Sequence, residues 1–302
     1  MNDVYGVDPE AFENSQDVRT VLQQFGPFAG RYVGMIPASW HSRVLAHIKT
    51  WSNDNEKYRA GNALAEIKNK KVTVNMGPAA AKQCGTWTDT YQRVKALRPE
   101  VVNAIVPRGH HGPFLPIDEL DLDPVAGGQM NPTASEFARI CQFLLRHCTE
   151  AACVDRYFDV CLGHHGNVMQ SLLQLVADSN CREFAWYTDN DRDPDKRPRP
   201  REFIEASFKR RCIAARISNT KRVRLVYLDK DKFQTMFRLE FHPRFLLTRD
   251  GGIMFDKGFQ EGRLGDRPAS VMHRETHEKV VPPFLHRKDD LLQATRFEVS
   301  WP

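Results

Sequence analysis

The chain has 302 residues, 41% of them apolar and 27% charged, with a mean hydropathy of −0.52. That composition excludes a disordered chain, and no apolar stretch reaches the roughly 18 residues that cross a bilayer. The 43 basic and 38 acidic residues leave a net charge of +5, too little to name a nucleic-acid partner by itself. The acidic, polar start MNDVYGVDPEAFENSQ has neither the basic nor the apolar region of a secretory signal, so a cytoplasmic, intracellular protein is expected. Seven cysteines without a CxxC pair fit neither a disulfide framework nor a zinc ribbon, and reduced thiols are expected.

The first 130 residues are rich in turn signals, among them Gly26-Pro27, Gly77-Pro78, Gly109 and Gly112-Pro113. Trp40, Val44, Leu45, Ile48 and Trp51 recur at helical spacing, and a second helical stretch runs from Tyr58 to Ile67, so a helical pair is expected. Val101 to Pro107 reads as a strand. Gly109 to Gly128, with its acidic run 118–123, reads as the connection between an N-terminal accessory domain, 1–130, and a second domain, 131–302.

Beyond it the pattern is regular. Thr133 and Glu136 have capping-box spacing and open an apolar stripe of Phe137, Ile140, Cys141, Leu144, Leu145 and Cys148. Strands are expected at 151–158, 183–188 and 222–228, helices at 167–177 and 201–211, and two or three short strands over 237–255, broken at Asp250-Gly251-Gly252. Residues 191–201, DRDPDKRPRPR, read as an exposed loop. The alternation implies an α/β fold, a sheet flanked by helices, preceded by a mixed, partly helical domain.

Three groups of side chains could carry chemistry. On a strand His242 and Arg244 point to one side, and a histidine beside a guanidinium suits a phosphate. Lys209, Arg210, Arg211, Lys221, Arg222 and Arg224 make a dense basic segment that would contact nucleic acid; a solvated helix face is the alternative. His110-His111 and His164-His165 lack a carboxylate or cysteine at ligand spacing and are read as loop residues, so no metal and no cofactor is expected. His273 and His277, one helical turn apart, could supply a second acid near His242. No glycine-rich phosphate loop and no Gly-x-Ser-x-Gly elbow is present, which excludes nucleotide-driven motors and serine hydrolases.

His242 and Arg244, late in an α/β domain, together with Val154-Asp155-Arg156-Tyr157-Phe158, Asn167, the 172–176 helix and the strand before Thr188, resemble the phospholipase D superfamily over roughly residues 135–265. The family signature is His-x-Lys-x4-Asp. His242 matches its histidine, Arg244 stands where its lysine would be, and Arg249 takes the aspartate's place with Asp250 one position later. The resemblance implies a phospholipase D-like sheet. In active members the histidine attacks phosphorus and a second histidine protonates the leaving group.

The resemblance therefore implies a nucleic-acid or phosphate-partner binding module with a degenerate site, of the kind found in mobile-element or phage-defence systems. The first alternative is a metal-independent phosphodiesterase or nuclease with His242, Arg244 and Asp250 as catalytic residues. With one copy of the motif, that enzyme would be a homodimer. The second alternative is a scaffold holding a protein partner through its N-terminal domain.

Overall fold

The computed structural model describes all residues except 1, 2, 99, 111, 121, 123–127, 190–198, 242, 243, 257, 263–267 and 302, and for 128 and 129 the backbone alone. The chain divides into two compact units, Met1–Ala126 and Gly127–Pro302.

The first unit is a five-stranded, wholly parallel sheet. Its strands β1 (Asp3–Val7), β2 (Arg31–Met35), β3 (Thr73–Asn75), β4 (Val101–Val106) and β5 (Leu115–Pro116) lie in the order β3-β2-β1-β4-β5. Sequences such as DVYGV and RYVGM are largely buried, as strands covered on both faces must be. The connections are α1 (Ser15–Gln24), α2 (Trp40–Lys49), α3 (Asp54–Asn69) and α4 (Trp87–Leu97). Asn14, Asn53 and Thr86 accept the first free N–H groups of α1, α3 and α4. Val18, Val21, Trp40, Val44, Ile48, Leu64 and Ile67 fill the core against Val7, Val33 and Ile105.

The expected helical pair is α2 and α3, and the expected strand is β4. The unit is mixed and partly helical as expected, and its strands and helices are ordered as an α/β layer around one parallel sheet. Its edge strand β5 and the 3-10 turn Ile117–Glu119 fall inside the stretch read as a connection.

The second unit carries β6 (Gly128–Gln129), α5 (Ala134–His147), β7 (Glu150–Val154), α6 (Gly163–Ala177), β8 (Glu183–Thr188), α7 (Arg201–Ala214) and β9 (Arg222–Leu228). Then follow α8 (Lys230–Phe237), β10 (Arg244–Thr248), β11 (Gly252–Phe255), β12 (Pro268–Val271), α9 (Arg274–Val281), a π-helical turn Pro282–His286, α10 (Lys288–Gln293) and β13 (Thr295–Trp301). The eight-stranded sheet has the order β13-β9-β8-β7-β10-β11-β12-β6. Its centre, β7, β8 and β9, is parallel, and every other pairing is antiparallel.

Thr133 caps α5 through the Glu136 N–H at 3.2 Å, and α5 buries the apolar stripe expected of it. Phe233, Phe241, Phe245 and Phe284 build a core with Val154, Tyr187 and Val226. A second aromatic group sets Trp186 against Phe158, Phe259 and Phe184. β8 and β9 match their expected bounds, and β10 and β11 are separated by 249–251, one residue before the expected break at 250–252, whereas residues up to Phe237 are helical in α8. The 191–201 loop lies largely outside the described residues. All seven cysteines are free. No helix is long and apolar enough to cross a membrane among the described residues.

Candidate functional site

The site forms where β7 and β8 end. Asp155 follows β7, and its Oδ1 accepts the Tyr157 N–H at 3.0 Å while its Oδ2 accepts the Phe259 N–H at 2.9 Å. The loop after β11 reaches it through Gly258. That residue has φ +83°, and a Cβ there would stand 2.6 Å from Asp155 Oδ2, so glycine alone permits the approach.

Arg244 opens β10, and because Phe245 pairs with Val154 in the antiparallel ladder, Arg244 lies beside the end of β7. Its Nη1 donates to the Asp256 carbonyl at 3.1 Å, and its Nε is 4.0 Å from Asp155 Oδ1 with no hydrogen-bond partner among the described residues. The Arg244 guanidinium lies 5.3 Å from the Tyr157 ring centre, and so does that of Arg156. Two guanidiniums thus share one aromatic ring. Arg156 also faces Asp189 at 3.4 Å, and Asp189 meets Arg296 of β13 at 3.5 Å.

A neighbouring group is closed. Asp159 takes the Arg199 Nε at 3.0 Å, and its N–H donates to His165 Nδ1 at 2.8 Å. A ring accepting at Nδ1 carries its proton on Nε2, which donates to Gln260 Oε1 at 2.9 Å. His165, expected in a loop, sits in the first turn of α6 and is buried.

Of the expected catalytic residues, His242 lies outside the described residues and Arg244 is at the site. Asp250 is not, since it lies in the turn at the other end of β10, about 15–20 Å away at the rise of a strand. His277 is at that far end too, its Nε2 bonded to the Thr248 carbonyl at 2.9 Å, so it cannot supply an acid beside Arg244.

The basic segment divides between exposed cations and cations tied within the fold. Lys221 Nζ donates to the carbonyls of Val176, Ser179 and Cys181 at 2.6, 2.7 and 3.0 Å, closing the end of α6. Arg211 reaches from α7 to Asn167 and Gln170 at 3.2 and 3.0 Å, lying against Gly166, and burial lowers its pKa. Arg224 is buried and pairs with Glu298 at 3.1 Å, and Lys209 pairs with Glu205 at 2.7 Å. Arg210 and Arg222 are exposed. Arg211, Lys221 and Arg224 are thus engaged within the fold, Lys209 makes a surface pair on its own helix, and Lys221 and Arg222 stand at the end of the sheet away from Arg244.

The residues that sequence reasoning did not single out as site residues include Asp155, Arg156, Tyr157, Asp189 and Arg296. A polar Asp-Arg-Tyr directly after a buried strand is a usable signal for the first three; the other two come from distant strands and carry none. Among the described residues no three His, Cys, Asp or Glu side chains converge as a metal site. Comparison with known proteins finds no matching family model, no matching curated protein and no matching solved structure.

Proposed function

We propose that the second unit is a binding module for the phosphate groups of a nucleic acid, built on a degenerate phospholipase D-like domain, with Arg244 and Arg156 as its contact residues. One observation carries this reading: both guanidiniums stand against the Tyr157 ring at the carboxyl end of β7. Each guanidinium has N–H donors beyond those it turns to Asp256 and Asp189, and a ring-held guanidinium has little rotamer freedom left to lose on binding a phosphate oxygen. Binding is favoured over cleavage because Arg249 stands where the resembled family has its motif aspartate, and Asp250, one position later, lies at the other end of β10 from Arg244.

The test is fluorescence anisotropy of labelled single- and double-stranded DNA and RNA in EDTA at two salt concentrations, with cleavage read from the same samples. Salt-sensitive retention is expected, weakened about tenfold or more by Arg244→Ala, as for a lost charge-assisted contact, and unchanged by Lys221→Met. Cleavage abolished by His242→Ala would replace this reading with the phosphodiesterase. Absence of both retention and cleavage would remove nucleic acid from the account and leave the scaffold.

A further inference from the structure

The first unit holds a cavity of about 630 Å³ at the carboxyl edge of its sheet, lined in part by Asp8, Glu10, Arg43, His47, Gln83 and Trp87. This size is that of a small-molecule site. In the order β3-β2-β1-β4-β5, the winding reverses between β1 and β4. In open parallel sheets the crevice beyond the strand ends at such a reversal is where ligands bind. Asp8 is the first residue after β1, and its N–H donates to the Ile105 carbonyl of β4 at 2.9 Å, so the cavity's carboxylate stands on the reversal itself.

The walls differ in chemistry. Asp8 Oδ1 accepts the Glu10 N–H at 3.0 Å, and its other oxygen has no hydrogen-bond partner among the described residues. Burial raises the Asp8 pKa, while the Glu10 N–H, His47 and His110 draw it down. Arg43 and His47, which also line the cavity, lie one turn apart on α2. His47 Nε2 is bonded to the Phe12 carbonyl at 2.8 Å, whereas Arg43 is exposed and its guanidinium has no partner among the described residues.

Two further groups complete the site. Gln83 donates through Nε2 to the Gly85 carbonyl at 3.0 Å, and its Oε1 is buried without a hydrogen-bond partner among the described residues. The Trp87 indole is fixed by its bond to the Ile36 carbonyl at 2.7 Å and its stacking on Tyr91.

A diphosphate cradle would present backbone N–H groups after β1, in a glycine-rich turn. Asp8-Pro9-Glu10 presents carboxylates instead, which repel phosphates and accept hydroxyl donors. Arg43 offers one cation in the cavity lining. We infer that the first unit binds a ribose 5-phosphate group, with the sugar hydroxyls at Asp8 and the single phosphate at Arg43. Its source is a nucleoside monophosphate or the free sugar phosphate.

Calorimetric titration of the full chain with AMP, 2′-deoxy-AMP, adenosine and ribose 5-phosphate tests this. AMP is expected to bind at least tenfold more tightly than 2′-deoxy-AMP or adenosine. Ribose 5-phosphate binding like AMP identifies the sugar phosphate as sufficient, and AMP alone binding identifies the nucleotide as the source. Arg43→Ala, on the surface of α2, is expected to weaken AMP tenfold and leave adenosine unchanged. The isosteric Asp8→Asn is expected to weaken both. No heat from either phosphate ligand, or AMP binding untouched by both substitutions, would overturn the inference. So would AMP binding lost in Arg244→Ala, which would assign the ligand to the other unit. The nucleic-acid reading fails separately, through Arg244→Ala in the anisotropy measurement.

Discussion

The two sheets gather side chains at their carboxyl edges by different means. In the first, every strand is parallel, so the edge is furnished only by strand ends and the turns that follow them: Asp8 after β1, then Arg43 and His47 on the helix after β2. In the second, antiparallel strands flank a parallel centre, so β10 and β13 begin where β7, β8 and β9 end. Arg244 and Arg296 thereby join Asp155, Arg156 and Asp189 from positions far along the chain. A mixed sheet recruits an edge from strand beginnings as well as strand ends. Its opposite edge is self-satisfied, with Glu150 paired to Arg249 and Lys288, Lys288 also to Glu183, and Lys221 on three carbonyls.

Three measurements sharpen this contrast. The largest effect is expected at the aromatic support of the second edge: Trp186→Ala removes a fully buried side chain packed on Phe158 and Phe259, at a cost of about 3–5 kcal/mol in denaturant unfolding. Trp40→Ala in the first unit should cost a similar amount, because Trp40 is equally buried and its Nε1 bonds the Val7 carbonyl. A loss below 1 kcal/mol in either would refute the packing account.

Next, Lys221→Met should lower stability by about 2–3 kcal/mol, the scale of hydrogen bonds to a charged donor, and leave oligonucleotide retention within twofold. Unchanged stability with weakened retention would reverse the roles given to the two ends of the sheet.

The smallest effect concerns pH. Burial lowers the His277 pKa, opposed by its contacts with Thr248 and Gly251 and by Asp250 and Glu278. The unfolded chain titrates near 6.5 and takes up the proton first on acidification. The contribution of His277 is therefore fully present above about pH 6.5 and declines below it. Urea midpoints between pH 7.5 and 5.5 should show this slope, and His277→Gln should flatten it; an unchanged slope would show that other groups set it.

Elements with one dominant period were legible. α5 follows its 3.6-residue stripe, and β8 and β9 are short apolar runs between polar breaks. The first sheet was hidden by Gly6 and Gly34, which interrupt its strands as turn residues would. They are packing positions: a Cβ on Gly6 would stand 2.6 Å from Tyr91, and one on Gly34 would come within 3.2 Å of Val4 and Met76. Phe297, Val299 and Trp301 alternate in β13, a readable two-residue period outside the expected elements.

At the site, Arg244 was legible because alternation on a strand fixes its side. Asp250 was misleading because six residues along a strand are far apart in space. The charge density of 209–224 could not reveal that Lys221 and Arg211 spend their donors on α6 and the turn that follows it. Such partners are tertiary, and no spacing in the sequence encodes them.

Asp155 has a consequence for kinetics. Both its oxygens already take backbone N–H groups, and it stands 4.0 Å from the Arg244 Nε as a resident competitor for that cation. An anion arriving at Arg244 meets a charge already partly compensated, and its net attraction is smaller than that of a bare guanidinium. In the proposed phosphate site this competition would speed the release of a bound anion.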